Sequence, residues 1–232
     1  MVKNHIKRLV APKTWRVLRK TTKFITTPYP GGHTLKFTIA INTFLKEMVA
    51  ITKTTKETKY LLTKQEVLVN GKRIRDDKYP VALMDVISIP SAKKTYRIVF
   101  DKTGKLFAKE LKEGDNTTLL QITGKTPLKK GVFQINTLSG RNLLTKEKDA
   151  KEYKVGDSLI ISVPDNKIIS HFKKEKGAHV LVYKGNHVGK SGTIENIAQG
   201  IITIKMKKET FETNSKYVFV VGKDKEEIDV TG

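Results

Sequence analysis

The segment Val67-Leu68-Val69-Asn70-Gly71-Lys72 and the later run Val86-Ile87-Ser88-Ile89 decide most of the predicted fold. Val67 and Val69 point to one side of an alternating pattern, and Asn-Gly favours the tight two-residue turn of a β-hairpin. The run from Val86 is typical of a further strand. We therefore expect a small sheet rich in hairpins here.

The preceding residues change to a helical period. Apolar residues recur at roughly helical spacing from Leu35 to about Ile51. After an interruption, Thr54 or Thr55 is a suitable N-cap for a second helix that ends near Gln65. Two short basic helices followed by hairpins predict an α/β domain over residues 35–95.

The N-terminal part is strongly basic and acid-free, since the first carboxylate is Glu47. Pro and Gly residues in Ala11-Pro12 and over residues 28–32 interrupt regular structure. Residues 1–34 are therefore predicted to form an extended arm that becomes ordered only on an anionic partner. Ten cations precede Glu47: Lys3, Lys7, Arg8, Lys13, Arg16, Arg19, Lys20, Lys23, Lys36 and Lys46.

The rest of the chain has the pattern of β structure. Many short strands separated by turn residues predict a central all-β domain over residues 96–172. Five further short strands predict a small SH3-like barrel over residues 173–232, which ends in a short acidic tail. The expected fold class is thus α+β and multidomain.

The charge balance indicates a nucleic-acid partner. The 232 residues include 45 Lys and Arg against 23 Asp and Glu, a formal charge of +22, concentrated towards one end. A membrane-surface protein and an organelle transit peptide fit less well, because the leader is rich in Thr, Pro and Gly and contains little Ser. The lack of cysteine excludes disulfides, thiol catalysis and thiolate zinc sites.

Catalytic motifs are weak. Residues 185–191 (GNHVGKS) imitate a phosphate loop, but three residues separate the glycines where that motif has four. The five histidines lack ligand spacing, and Asp76-Asp77 lies at a predicted turn. We therefore expect no enzymatic activity, no catalytic or metal-binding residues and no cofactor.

Three stretches together resemble the small-subunit ribosomal proteins of the S-four-e family. They are residues 5–15 (HIKRLVAPKTW), 67–72 (VLVNGK) and 79–89 (YPVALMDVISI). In addition, Gly185, Gly189 and Gly192 resemble the KOW motif of ribosomal and transcription-elongation proteins. The resemblance implies a basic arm, an S-four-type RNA-binding domain, a central β domain and a C-terminal KOW SH3-like β-barrel.

The resemblance also implies a function. A structural, non-catalytic constituent of the cytoplasmic small ribosomal subunit is expected, with small-subunit rRNA and neighbouring ribosomal proteins as partners. No membrane, small-molecule substrate or homo-oligomer is expected. The acidic C-terminal stub, in place of the basic extension of eukaryotic members, favours an archaeal origin. The alternative is a KOW-containing transcription elongation or RNA-modification factor.

The candidate RNA-binding residues follow from charge and from the resemblance. Trp15 would either stack on an unpaired base or anchor the arm on protein. Lys72, Arg73 and Arg75 follow the hairpin turn, where side chains reach outward. The full set is Lys3, His5, Lys7, Arg8, Lys13, Trp15, Arg16, Arg19, Lys20, Lys23, Lys36, Lys46, Lys53, Lys56, Lys72, Arg73, Arg75, Lys184, Asn186, His187 and Lys190.

Overall fold

The computed structural model describes residues 5–111, 116–206 and 209–223, which divide between two units. The first unit comprises the chain up to Val99 together with Lys105–Asn116. The second comprises Phe100–Gly104 and the chain from Thr117 onward. Strands dominate both units and helices are few, so the fold class is α+β.

The first unit contains short strands around two helical segments. A five-stranded sheet has the order β5-β4-β7-β8-β9, and the pairs β1–β2 and β3–β6 form two-stranded sheets. The elements are β1 (Ile6–Lys7), β2 (Phe24–Ile25), β3 (Thr38–Ala40), α1 (Ile41–Thr43) continued by a π-helical turn (Phe44–Met48), α2 (Thr55–Lys64), β4 (Leu68–Val69), β5 (Lys72–Arg73), β6 (Pro80–Ala82), β7 (Val86–Ile89), β8 (Lys94–Phe100) and β9 (Leu106–Leu111).

The N-terminal segment, residues 5–34 of the described chain, packs into the first unit, whereas the sequence predicted an extended arm that has no core. The Trp15 side chain is 2% exposed, and its indole N–H donates to the Leu35 carbonyl at 3.2 Å. The Leu106 amide donates to the Thr14 carbonyl at 2.7 Å. A large buried aromatic ring gives this segment apolar burial of its own within the first unit.

The predicted first helix begins later than expected. Leu35–Phe37 is a 3-10 turn, and Thr38–Ala40 is a strand that pairs antiparallel with Pro80–Ala82. All residues from Thr38 to Leu45 are buried. When every residue of a run is buried, no exposed face reveals the period, so the apolar pattern cannot distinguish a helix from a strand.

The second helix and the Asn-Gly hairpin agree with the prediction. Thr54 caps α2, accepting from the Glu57 amide while the Glu57 carboxylate accepts from the Thr54 amide. Asn70 and Gly71 have φ values of 50° and 75°, as the tight turn between β4 and β5 requires. Strands β8 and β9, which the sequence assigned to the central domain, instead extend the sheet that contains this hairpin.

The second unit contains two five-stranded antiparallel sheets. Their orders are β12-β11-β10-β13-β14 and β18-β17-β16-β15-β19. The elements are β10 (Thr117–Pro127), β11 (Val132–Thr137), β12 (Asn142–Lys146), α3 (Glu147–Glu152), β13 (Ser158–Ser162), β14 (Ile168–Phe172), β15 (His179–Val182), β16 (Ser191–Ala198), β17 (Ile201–Lys205), β18 (Thr210–Asn214) and β19 (Val218–Gly222).

Buried hydrogen bonds join the two sheets of this second unit. The Gln121 carboxamide donates to the Val218 carbonyl at 2.7 Å, and the Val220 amide donates to the Ser158 hydroxyl at 3.2 Å. Both bonds are buried, where a lost partner is costly. Strand β19 therefore holds the two sheets together.

Candidate nucleic-acid interface

A basic groove on the first unit gathers cations from distant parts of the sequence. Its volume is about 800 Å³. The cations come from the N-terminal segment, the π-helical turn, the residue before the α2 cap and the residue before β9. Those that line it are Lys13, Arg16, Arg19, Lys46, Lys53 and Lys105.

The acidic side chain in this groove is neutralised by the protein itself. Among the described residues that line the groove, Glu47 is the one carboxylate. Its two oxygens accept from the Arg8 guanidinium at 2.7 and 2.8 Å. The bidentate pair cancels the Glu47 charge, which leaves the surrounding lysines to set the sign of the groove.

Arg8 was predicted to contact RNA, but in the structure its side chain does not face outward. Its side chain is 7% exposed. Besides Glu47, it donates to the Thr22 hydroxyl and to the Leu18 carbonyl, both at 2.9 Å. The guanidinium presents its donors in a planar fork, and here protein acceptors occupy that fork.

Other predicted residues of the N-terminal segment also serve its internal structure. The Arg19 guanidinium donates to the carbonyls of Leu9, Ala11 and Pro12 at 2.8–3.1 Å. The Arg16 guanidinium lies 5.2 Å from the centre of the Phe107 ring. Trp15 is buried, so of its two possible roles the structure supports the anchor on protein.

Most of the lysines predicted in the same region are exposed. The ammonium group is a compact, strongly hydrated charge on a flexible stem, so it reaches phosphates easily but adds little rigid geometry. Lys46 is half-buried, with its ammonium 3.5 Å from the Thr55 hydroxyl. The exposed lysines are Lys7, Lys13, Lys20, Lys23, Lys36, Lys53 and Lys56, and the predicted His5 is exposed as well. Lys3 lies outside the described residues.

The start of α2 uses its carboxylate as a helix cap. The Glu57 carboxylate accepts from the backbone N–H groups of Lys53 and Thr54, and these bonds lower its pKa. It therefore remains ionised as part of the helix cap, while the Lys53 and Lys56 side chains stay exposed.

The hairpin residues Lys72, Arg73 and Arg75 are exposed but do not line the basic groove. The Arg73 guanidinium lies 3.6 Å from the Glu66 carboxylate, a weak exposed pair. The hairpin thus contributes three exposed cations to the first unit apart from that groove.

In the second unit, the loop between β15 and β16 presents cations beside aromatic rings. The Lys184 ammonium lies 5.0 Å from the centre of the Tyr217 ring. The His187 ring stacks on Phe211 at 4.3 Å, and the Lys190 ammonium lies 5.6 Å from the centre of that same ring. Asn186 is exposed between them.

The backbone of this loop is fixed from two sides. The Tyr183 hydroxyl donates to the Lys216 carbonyl at 2.7 Å, and burial raises the pKa of Tyr183. At Gly189, with φ +85°, a Cβ atom would stand 2.4 Å from the Asp101 carbonyl oxygen. The loop therefore depends on glycine where it meets the turn at Phe100–Gly104.

Several residues at these surfaces were absent from the sequence prediction. Lys105 follows a predicted turn, and no local signal connects it with Lys13 or Lys53. Phe211 and Tyr217 lie on β18 and in the turn before β19, and in sequence they resemble ordinary strand residues. Only the folding of the second unit brings them beside the loop at residues 184–190, so no local signal identifies them.

Over residues 5–111, 116–206 and 209–223, no three His, Asp or Glu side chains cluster closely enough to hold a metal ion. No helix in the described part of the chain is long and apolar enough to cross a membrane.

Comparisons with known proteins identify the family. A family model described as "Ribosomal family S4e" matches residues 92–168, and one described as "RS4NT (NUC023) domain" matches residues 2–36. The "small ribosomal subunit protein eS4" of Archaeoglobus fulgidus is 35% identical, with 99% of each chain covered. That of Methanocaldococcus jannaschii is 37% identical, covering 95% of this chain and 94% of its own.

A solved structure agrees with these relatives. The crystal structure of the 30S ribosomal protein S4e from Thermoplasma acidophilum superposes with a TM-score of 0.68 at 29% identity, covering 80% of this chain and 95% of that one. The chain belongs to the ribosomal S4e family, and these three relatives are all archaeal. The expectation drawn from the three sequence stretches is thereby confirmed.

Proposed function

We propose that this chain is a structural, non-catalytic constituent of the small ribosomal subunit in the cytoplasm. It binds small-subunit rRNA through phosphate and shape contacts, lies beside neighbouring small-subunit proteins, and supports subunit assembly and translation. The observation that carries this proposal is the basic groove in which Arg8 neutralises the Glu47 carboxylate. Near-complete coverage of relatives named as small-subunit proteins supports it.

The groove suits a folded RNA better than a small anion. Its cations surround an open surface and not a closed cavity, and most of its lysines are exposed. Lysines neutralise phosphates and release counterions without reading sequence. Such contacts hold the protein on a shaped backbone, which is how structured RNA is usually recognised.

The sheet β15–β19 acts, in this proposal, as a KOW-type SH3-like barrel with its own RNA contacts. Gly185 and Gly189 have positive φ values, and Lys184 and Lys190 flank them. Glycines allow backbone to approach a phosphate closely, while the lysines supply charge. A transcription elongation or RNA-modification factor is not favoured, because the matching relatives are ribosomal along nearly their whole length.

The test is the salt dependence of binding to small-subunit rRNA. The variant K13Q/K53Q/K105Q removes three groove charges, and the matched control K151Q/K154Q/K167Q removes three exposed charges on the second unit. Each lost phosphate contact should reduce the slope of log affinity against log salt by about 0.7 to 0.9.

We expect the groove variant to bind more weakly and with a shallower slope, and the control to resemble the unmodified chain. Equal losses in the two variants would show that affinity follows total charge and not the groove. Unfolding is checked through Trp15, the chain's one tryptophan, whose emission reports on the first unit.

A further inference from the structure

The ribbon formed by β1 and β2 has one buried and one exposed face. Ile6 pairs with Ile25, and Lys7 pairs with Phe24. Since paired residues of antiparallel strands point to the same face, the isoleucines lie together on one side and Lys7 with Phe24 on the other. Ile25 is 5% exposed, whereas Phe24 is 44% exposed.

The exposed Phe24 ring is surrounded by groups that suit an anionic aromatic partner. The His5 ring meets it edge-on at 4.8 Å between ring centres. The Lys23 ammonium lies 5.5 Å from its centre. Nearly half of Phe24 is nevertheless left open, so part of the ring is accessible to a partner.

Phe24 also lines a second groove on the first unit, of about 410 Å³. Lys46 lines both this groove and the larger basic groove, so the two adjoin. The hydroxyl-bearing residues Thr22, Thr26 and Thr55 line it as well. The groove thus offers an aromatic face, the ammonium groups of Lys23 and Lys46, and hydroxyl partners, while the Glu47 carboxylate is held by Arg8.

We propose that this second groove holds an unpaired nucleotide of RNA, with its base stacked on Phe24 and an adjoining phosphate at Lys46. The inference rests on the proposed rRNA-binding function and adds a specific site to it. An apolar protein side chain could cover Phe24, but it would leave the two ammonium groups without an anion. Base stacking on an aromatic ring tolerates any base and requires single-stranded RNA, whose bases are free to leave the stack.

The experiment separates stacking from charge by using two probes at low salt. One is a short single-stranded oligouridylate, and the other is an abasic ribose-phosphate oligomer of equal length and charge. The full chain should bind the base-bearing probe more tightly. Phe24→Ala should weaken that binding about 5- to 150-fold, the range for losing one stacked base, and should leave the abasic probe unaffected.

Three further variants complete the test. Phe24→Leu keeps apolar volume and should lose the preference for bases, whereas Phe24→Trp should retain it. Tyr60→Ala removes a ring that is 64% exposed on α2 and lines neither groove, so it should change nothing. A probe carrying 4-thiouridine should crosslink to the segment containing Phe24.

The outcomes distinguish the two proposals. If Phe24→Ala and Phe24→Leu weaken both probes equally or not at all, the stacking site is wrong while the rRNA proposal stands. If the unmodified chain binds neither probe nor small-subunit rRNA, both proposals fail. A crosslink confined to the loop 184–190 would also overturn the site at Phe24.

Discussion

The N-terminal segment and the loop at residues 184–190 are both basic, yet they hold their charges differently. In the N-terminal segment, the Arg8 and Arg19 guanidinium groups donate to protein acceptors. In the loop, Lys184 and Lys190 lie beside aromatic rings at the surface. Cationic residues near one another in sequence can therefore either support the fold or face solvent. In these two regions, the arginines named support the fold and the lysines face solvent.

The difference has a physical basis. A guanidinium offers five donors in a fixed fork and can satisfy several carbonyl oxygens at once, as Arg19 does. An ammonium retains most of its hydration and gains little from burial. Within the described N-terminal segment, Arg8 and Arg19 therefore support the fold, and we propose that the exposed lysines face RNA.

The largest expected effect tests whether the N-terminal segment belongs to the core. Trp15→Ala should destabilise the first unit by about 3 to 5 kcal/mol, because it empties a fully buried aromatic site. Trypsin should then cleave near Lys13 and Arg16 much earlier than in the unmodified chain. Cleavage time courses and circular dichroism under urea measure both effects.

Trp15→Phe provides the control for that change. It keeps most of the apolar volume and loses the hydrogen bond to the Leu35 carbonyl, so we expect a cost of about 1 to 2 kcal/mol. A cost below about 1 kcal/mol for Trp15→Ala would restore the predicted arm without a core.

The next effect concerns the buried ion pair. Arg8→Met should destabilise the first unit by about 3 kcal/mol, because it leaves the Glu47 carboxylate without its partner. Removal of both charges in R8M/E47M should cost less than the single change, since no unpaired charge remains. Urea unfolding followed by Trp15 emission measures both, and a larger loss in the double variant would contradict the argument.

Local chemistry explains what could be predicted from the sequence. The Asn70-Gly71 turn and the Thr54 cap with Glu57 each involve residues at most a few positions apart, and both are present as expected. Strand β3 was missed, since its partner β6 is distant in sequence and nothing in its own buried run distinguishes strand from helix.

The sequence predicted the type of interface, a basic RNA-binding surface, but not which residues line it. Net charge and the basic N-terminal segment indicated RNA, and Lys13 and Lys53 do line a common groove. The structural role of Arg8 was not predicted, because its partner Glu47 is 39 positions away and no local pattern reveals the pair. Lys105 precedes β9 and joins the groove through contacts that are distant in sequence, among them the hydrogen bond from the Leu106 amide to the Thr14 carbonyl.

An intermediate effect tests the loop's dependence on glycine. Gly189→Ala should destabilise the second unit by about 2 to 3 kcal/mol, because the new Cβ would meet the Asp101 carbonyl oxygen and φ is +85°. Gly177→Ala is the matched control, since its φ is +86° with nothing within 4 Å of the new atom. It should cost only about 1 kcal/mol, because it adds the backbone strain of a positive φ without a steric clash.

Hydrogen exchange of β15 and β16, the strands that flank the loop, measures this difference within the second unit. The excess of Gly189→Ala over Gly177→Ala isolates the steric contact with the Asp101–Gly104 turn. Equal protection in the two variants would mean that the loop and this turn do not press on each other, and that the glycine serves the backbone alone.

The smallest expected effect on stability completes the contrast with Arg8. Lys184→Ala removes an exposed ammonium from the Tyr217 ring and should cost at most about 0.5 to 1 kcal/mol. The same change should reduce the salt slope of rRNA binding by about 0.7 to 0.9, if Lys184 neutralises one phosphate. Thermal melting and salt titration, run side by side with Arg8→Met, measure the two quantities. Substitution of a basic residue that faces RNA should weaken rRNA binding and leave stability unchanged, whereas substitution of an internal one should lower stability first. A Lys184 variant that loses stability alone would show that this loop supports the fold, as the N-terminal arginines do.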